Sequence, residues 1–108
     1  MAFDIGAVLQ DMLNAATHVL SDEGPRVQGA LGEVLQDQKA ALQAIAEARL
    51  SGEITAEEAL RQLEDEKATF EAGLAMVSAV GKAALQRAIN AALDVFWKAV
   101  TSAVYMAI

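Results

Sequence analysis

The chain has 108 residues, 55% of them hydrophobic but only 5% aromatic, and a formal charge of −7. That length suits one domain with a modest core. The acidic balance argues against a nucleic-acid partner, which needs clustered Lys and Arg, and the lack of cysteine excludes disulfides, thiol catalysis and thiolate zinc sites. Alanine is abundant and together with leucine, glutamate and glutamine reads as helix, Pro25 is the one proline, and no β-type alternation is present, so the composition predicts an all-α fold over residues 1–108. The charge is unevenly placed. Residues 1–71 hold fourteen acids and five bases, a balance of −9, whereas residues 72–108 hold Lys82, Arg87 and Lys98 against Asp94, a balance of +2. An acidic, water-loving stretch therefore precedes a weakly basic, apolar one.

The first helix is expected over 4–20. The opening "MAFDIGAVLQDM" has no basic n-region and carries Asp4 and Asp11, so it does not read as a secretory signal. Asp4 suits an N-cap, and Val8, Met12, Ala15 and Val19 follow at helical spacing. "SDEGP" then interrupts, with Pro25 suited to the first turn of the next helix. The second helix is expected over 25–50. Leu31, Val34, Gln38, Ala41, Ile45 and Ala48 form its stripe, widened by Leu35 and Leu42, opposite Glu33, Asp37, Lys39, Gln43 and Glu47.

"RLSGEITAEEALRQLE" is the strongest local signal. Gly52 can take the left-handed cap of the second helix, Thr55 can cap the third, and Glu58 completes a capping box with Ile54 as a hydrophobic staple. Residues 51–54 are thus expected to form a tight turn between antiparallel helices. The same stretch mimics half of a calcium loop, with Gly52, Ile54 and Glu58 at the sixth, eighth and twelfth positions. The first, third and fifth would then be Glu47, Arg49 and Ser51, and an arginine aimed at calcium speaks for the capped turn.

Beyond Thr55 the seam continues through Leu60, Leu63, Lys67, Phe70, Leu74 and Val77, and no residue forces a stop. Gly73 and Gly81 weaken a helix by roughly 1 kcal/mol each relative to alanine without ending it. The pattern favours one third helix over 55–106, about 75 Å long, of which the second helix covers only about 39 Å. The alternative is a hinge near Gly81 that folds the chain back into a four-helix bundle.

On a helical projection of residues 84–106, Arg87, Asn90, Asp94, Lys98, Thr101 and Tyr105 share an arc of roughly 100°, and the rest is apolar or small. So wide an apolar arc asks for more cover than a hairpin supplies. Leu85, Ile89, Leu93, Phe96, Trp97, Val100 and Val104 are therefore the expected contact residues. The leading expectation is burial between copies of the chain, helped by Ala84, Ala88, Ala91, Ala92 and Ala99. Contact with a membrane surface through Phe96 and Trp97 comes second, because the polar face carries only two cations and one anion. A transmembrane span is disfavoured, since the uncharged runs near the end reach only about ten residues against the roughly 18–20 needed.

"AINAAL" (88–93) and the turn "SGEITAEEA" resemble small helical proteins of phage and prophage genomes, which pair such a hairpin turn with an alanine-rich apolar C-terminal helix. The resemblance covers about residues 50–108. It implies a virion-associated or accessory structural role and assigns no activity. With no secretory signal read at the start, the expected location is cytoplasmic or virion-associated, and the expected partners are copies of the chain and another protein of the same assembly.

Residues that could carry chemistry are scattered. His18 is the only histidine and suits a helix C-terminus, where a cation is favoured. No Glu-x-x-His pair for a di-iron site is present. Glu64, Asp65, Glu66 and Glu71 alternate with Arg61 and Lys67 as a solvated, ion-paired face. Met12, Met76 and Met106 read as core gap-fillers. Gly29 and Gly32 follow no strand and imply no phosphate loop. No catalytic, cofactor or metal residue is assigned, and the expected function is a non-enzymatic homo-oligomeric helical assembly unit.

Overall fold

A computed structural model describes residues 3–20, 24–74 and 81–107, with side chains 24–27 and 107 left aside. The fold is all-α. Among the described residues five helices follow in order: α1 (Ile5–Leu20), α2 (Gly24–Asp37), α3 (Lys39–Leu50), α4 (Ala56–Leu74) and α5 (Lys82–Ala107). The termini form as the local sequence dictates. Asp4 Oδ1 accepts hydrogen bonds from Gly6 N at 3.0 Å and Ala7 N at 3.3 Å, which starts α1. Pro25 stands in the first turn of α2.

The turn between α3 and α4 is built from two capping motifs. Gly52 sits at φ 82°, where a Cβ would strain the backbone. Its N–H donates to Arg49 O at 3.3 Å, and Glu53 N donates to Ala48 O at 2.9 Å, the paired bonds of a Schellman ending. Thr55 and Glu58 then cap α4 reciprocally: Thr55 N donates to Glu58 Oε1 at 3.0 Å and Glu58 N donates to Thr55 Oγ1 at 3.1 Å. The carboxylate that a calcium loop would need as its twelfth ligand is thus engaged in the cap. Ile54 is half-buried against the core that includes Ala59.

Two expectations about helix continuity are corrected. The second helix is not one rod over 25–50 but two, meeting at Gln38, whose φ of −92° and ψ of 0° leave the helical region. Ladder bonds persist on both sides, Gln38 N to Val34 O and Leu42 N to Gln38 O, both 3.0 Å, so the chain bends without parting. Gln38 is the polar member of the apolar stripe, and the bend falls there. It lets α2 pack mainly on α1 while α3 reaches α4 and α5.

The third helix is not continuous over 55–106. The helix α4 is described as far as Leu74, Gly81 is not helical, and α5, starting at Lys82, lies beside α4. Phe70 and Leu74 share a core lining with Ile89, Ala92 and Leu93, whereas Glu57 and Leu60 share a groove with Asp94 and Trp97, so the two helices run antiparallel. Residues 75–80, which include Met76 and Val77, lie outside the described residues. The physical reason for the reversal is cover. A straight helix would leave the apolar arc of α5 in water, whereas folding back buries it against α1, α3 and α4.

The result is an up-down-up-down four-helix bundle of 43 × 22 × 19 Å, with the bent α2–α3 pair as its second rod. Its core runs the full length: Met12 and Ala16 of α1, Leu31 and Leu35 of α2, Leu42 and Ile45 of α3, Leu63, Phe70 and Leu74 of α4, and Ala88, Phe96 and Val100 of α5. Phe3 packs edge-on to Phe96, with ring centroids 6.0 Å apart and planes at 87°. Gly73 marks a close approach, since a Cβ there would come within 3.2 Å of Val34 Cγ2. The enclosed space near Ala16, Leu31, Phe70 and Ile89 is about 10 Å³, scarcely the size of one water and far too small for a ligand.

Candidate interaction surface between α4 and α5

The seven expected contact residues divide by angle around α5. Leu85, Ile89, Phe96 and Val100 face inward and are buried by the chain itself, Phe96 and Val100 completely. These four are core, which corrects their assignment as an oligomer or membrane contact: α1 takes the place expected of a second copy. Leu93, Trp97 and Val104 lie on the rim of the same stripe. They are half-buried, packed against the core on one side and open on the other.

Leu93 and Trp97 open into a groove of about 520 Å³ between α4 and α5. On the α4 side it is lined by Glu57, Leu60, Arg61, Leu63, Glu64 and Lys67. Leu63 forms its floor from the core, while Leu60 is 44% exposed. Asn90 and Asp94 complete the α5 wall. A strip of Leu60, Leu93 and Trp97 therefore runs between two charged edges. The groove exists because α4 touches α5 less extensively than α1 does. Away from α4, Ala16 of α1 and Ala92 of α5 share one core lining and Ala88 and Ala103 are buried too, small residues that let helices pack closely. On the α4 side, the charged Glu57, Glu64 and Lys67 stand at the rim where apolar residues would be needed to close the seam.

The groove continues toward the C-terminal turn, where Trp97, Lys98, Thr101, Ser102 and Tyr105 enclose a second depression. Tyr105 and Met106 are 78% and 77% exposed, so Met106 is not the core filler its residue type suggested, unlike the fully buried Met12. The helical projection had placed Tyr105 on the polar arc, whereas Leu60 and Met106 were not singled out from sequence as surface residues. Leu60 fits the seam by spacing, and only the angle between α4 and α5 leaves it open.

Electrostatics at the surface are modest. Asp94 and Lys98 pair along α5 at 2.9 Å, as their i,i+4 spacing predicts, but both are largely in water, so the bridge contributes little. Glu58 is the group held below the ordinary carboxylate range, first by the Thr55 backbone N–H and then by the Thr55 hydroxyl, with a smaller pull from Arg61. Its role is the α4 cap. His18 is exposed in the last turn of α1, remote in sequence from the groove lining. Among the described residues, no three carboxylate or imidazole side chains gather as a metal site would need, and no polar residue is buried as a whole, although Gln43 Oε1 and Glu66 Oε1 are shielded from water without a hydrogen-bond partner. No helix among them is long and apolar enough to cross a membrane.

Comparison of the chain with protein-family models, with curated proteins and with solved structures finds no match.

Proposed function

We propose that this protein is a non-enzymatic helical assembly unit that associates with copies of itself through the α4–α5 face. One observation carries the reading: on the side of α5 that faces α4 the bundle leaves Leu93 and Trp97 only half-covered, beside the exposed Leu60 of α4. Tryptophan and leucine flanked by charge make an apolar centre with a polar rim, the anatomy of a protein interface. The phage-like resemblance of the turn and of "AINAAL" is consistent with such a role, within an assembly that also holds other proteins. Light scattering after size exclusion in plain buffer tests it. The expected result is a discrete species at a multiple of the 11.4 kDa chain mass. A monomer at every accessible concentration would remove the proposal.

The exposed Tyr105 and Met106 beside Trp97 support a second reading, in which the C-terminal end of α5 lies on a membrane surface. It predicts a blue shift of Trp97 emission and co-flotation with anionic vesicles, both lost when Lys82, Arg87 and Lys98 are changed to Glu. No shift and no flotation would exclude it.

A further inference from the structure

Self-association, as proposed above, leaves open how two copies would meet, and the α4 edge of the groove carries a pattern that answers this. From N- to C-terminus, Glu57, Arg61, Glu64 and Lys67 read minus, plus, minus, plus. Run in reverse, the same edge reads plus, minus, plus, minus, its own complement. A two-fold axis brings each residue of a pair against the other twice, so a pattern that complements its own reversal suits an isologous contact.

The spacing agrees with the signs. The midpoint of Arg61 and Glu64 and the midpoint of Glu57 and Lys67 differ by half a residue, less than about 1 Å along the helix. One axis position therefore serves both pairs. A parallel arrangement in register would oppose like charges along the whole edge.

We infer that a second copy of this chain docks its α4 antiparallel into the α4–α5 groove, with Arg61 level with Glu64 of the second copy and Glu57 level with Lys67 of the second copy. The apolar strip fits the same register. Because α4 and α5 run antiparallel with both sets of residues lining the groove, taking Leu60 toward its Trp97 end and Lys67 toward its Asn90 end sets Glu64 near the level of Leu93. The axis that pairs Arg61 with Glu64 sets Leu60 of the second copy near the level of Glu64, and hence of Leu93 across the groove. Apolar then meets apolar at the centre, with the charge pairs outside. The long side of the bundle, 43 by 22 Å, has room for the roughly 800 Å² per partner of a standard interface. In this arrangement Leu60, Leu93 and Trp97 supply affinity, and the four charges set direction and reject the parallel alternative.

The inference rests on the homo-oligomer reading, and the test separates the two. Wild type, Arg61→Glu and Glu64→Lys are compared by light scattering at one concentration, with circular dichroism as the check on fold. Both positions are exposed, so helix content is expected to stay unchanged. Each single variant opposes like charges across the axis and is expected to self-associate about tenfold more weakly or worse. Mixed one to one, the two variants are expected to recover the wild-type mass. The introduced carboxylate then faces the introduced amine, and the native Glu64 of one chain faces the native Arg61 of the other. A wild-type dimer with both variants equally dimeric, or weakened variants that do not recover on mixing, would overturn the register while leaving self-association in place. A monomeric wild type would overturn both.

Discussion

The two flanks of α5 began as one apolar arc and ended in different environments. Toward α1 the helices make their most extensive contact, with Ala16 and Ala92 in one core lining, while Ala88 and Ala103 are buried and Phe96 and Val100 are sealed from water. Toward α4, Leu60 is 44% exposed, and Leu93 and Trp97 are covered on one side only. The same stripe thus serves as core on one flank and as available surface on the other. The difference lies in what faces it. Small residues let backbones approach and close a seam, whereas an edge of alternating charge holds a seam open.

The comparison predicts unequal responses to neighbouring truncations. Phe96→Ala removes a fully buried ring that Phe3 packs against, and it is expected to cost about 3–5 kcal/mol in urea unfolding. Trp97→Ala, one residue along, removes a larger ring but only part of its contact, and about half that cost or less is expected. Its main effect should be on self-association. Equal losses of stability would erase the distinction between the flanks.

Gly52→Ala sharpens the comparison from outside. It forces a Cβ onto φ 82° in the α3–α4 turn and is expected to cost about 1 kcal/mol or more in thermal unfolding. It touches neither flank, so association of the folded fraction should be unchanged. A smaller effect is expected for Leu60→Ser. The side chain is already 44% exposed, so the folding of the monomer should change by about 0.5–1 kcal/mol while association weakens. If monomer stability fell as far as for Phe96→Ala, Leu60 would belong to the core.

The smallest expected effect is on pH dependence. The Thr55 contacts hold the Glu58 carboxyl below its ordinary range, so its ionised form favours the folded state. Its contribution is complete above the unfolded-state pKa and is lost as pH falls through the lower folded-state pKa. Glu58→Gln should therefore flatten the acid limb of melting temperature against pH. An unchanged limb would show that the capping box does not feed into global stability.

Local chemistry was the legible part of this fold. Asp4, Gly52, Thr55 and Glu58 make their bonds within a few residues, so sequence alone places them. The α4–α5 reversal was legible only as the alternative, a hinge near Gly81, because no proline or strong cap stands between Phe70 and Leu85 and the deciding term is cover from α1, far away in sequence. The width of the α5 arc told how much surface required cover but not which chain supplies it. For that reason Leu85, Ile89, Phe96 and Val100 read as interface and are core, while Leu60 read as core and is exposed. The bend at Gln38 left a faint trace, a polar residue within an apolar stripe.

The most direct test of the central claim is the emission of Trp97, the only tryptophan, followed through dilution together with the scattering mass. If two copies close over the groove, emission shifts to the red as the mass falls to that of one chain, both with one midpoint. A change in mass without any change in emission would place the association elsewhere on the molecule. Emission and mass that both stay constant at the values of one chain would show that the groove remains open and that the bundle stands alone.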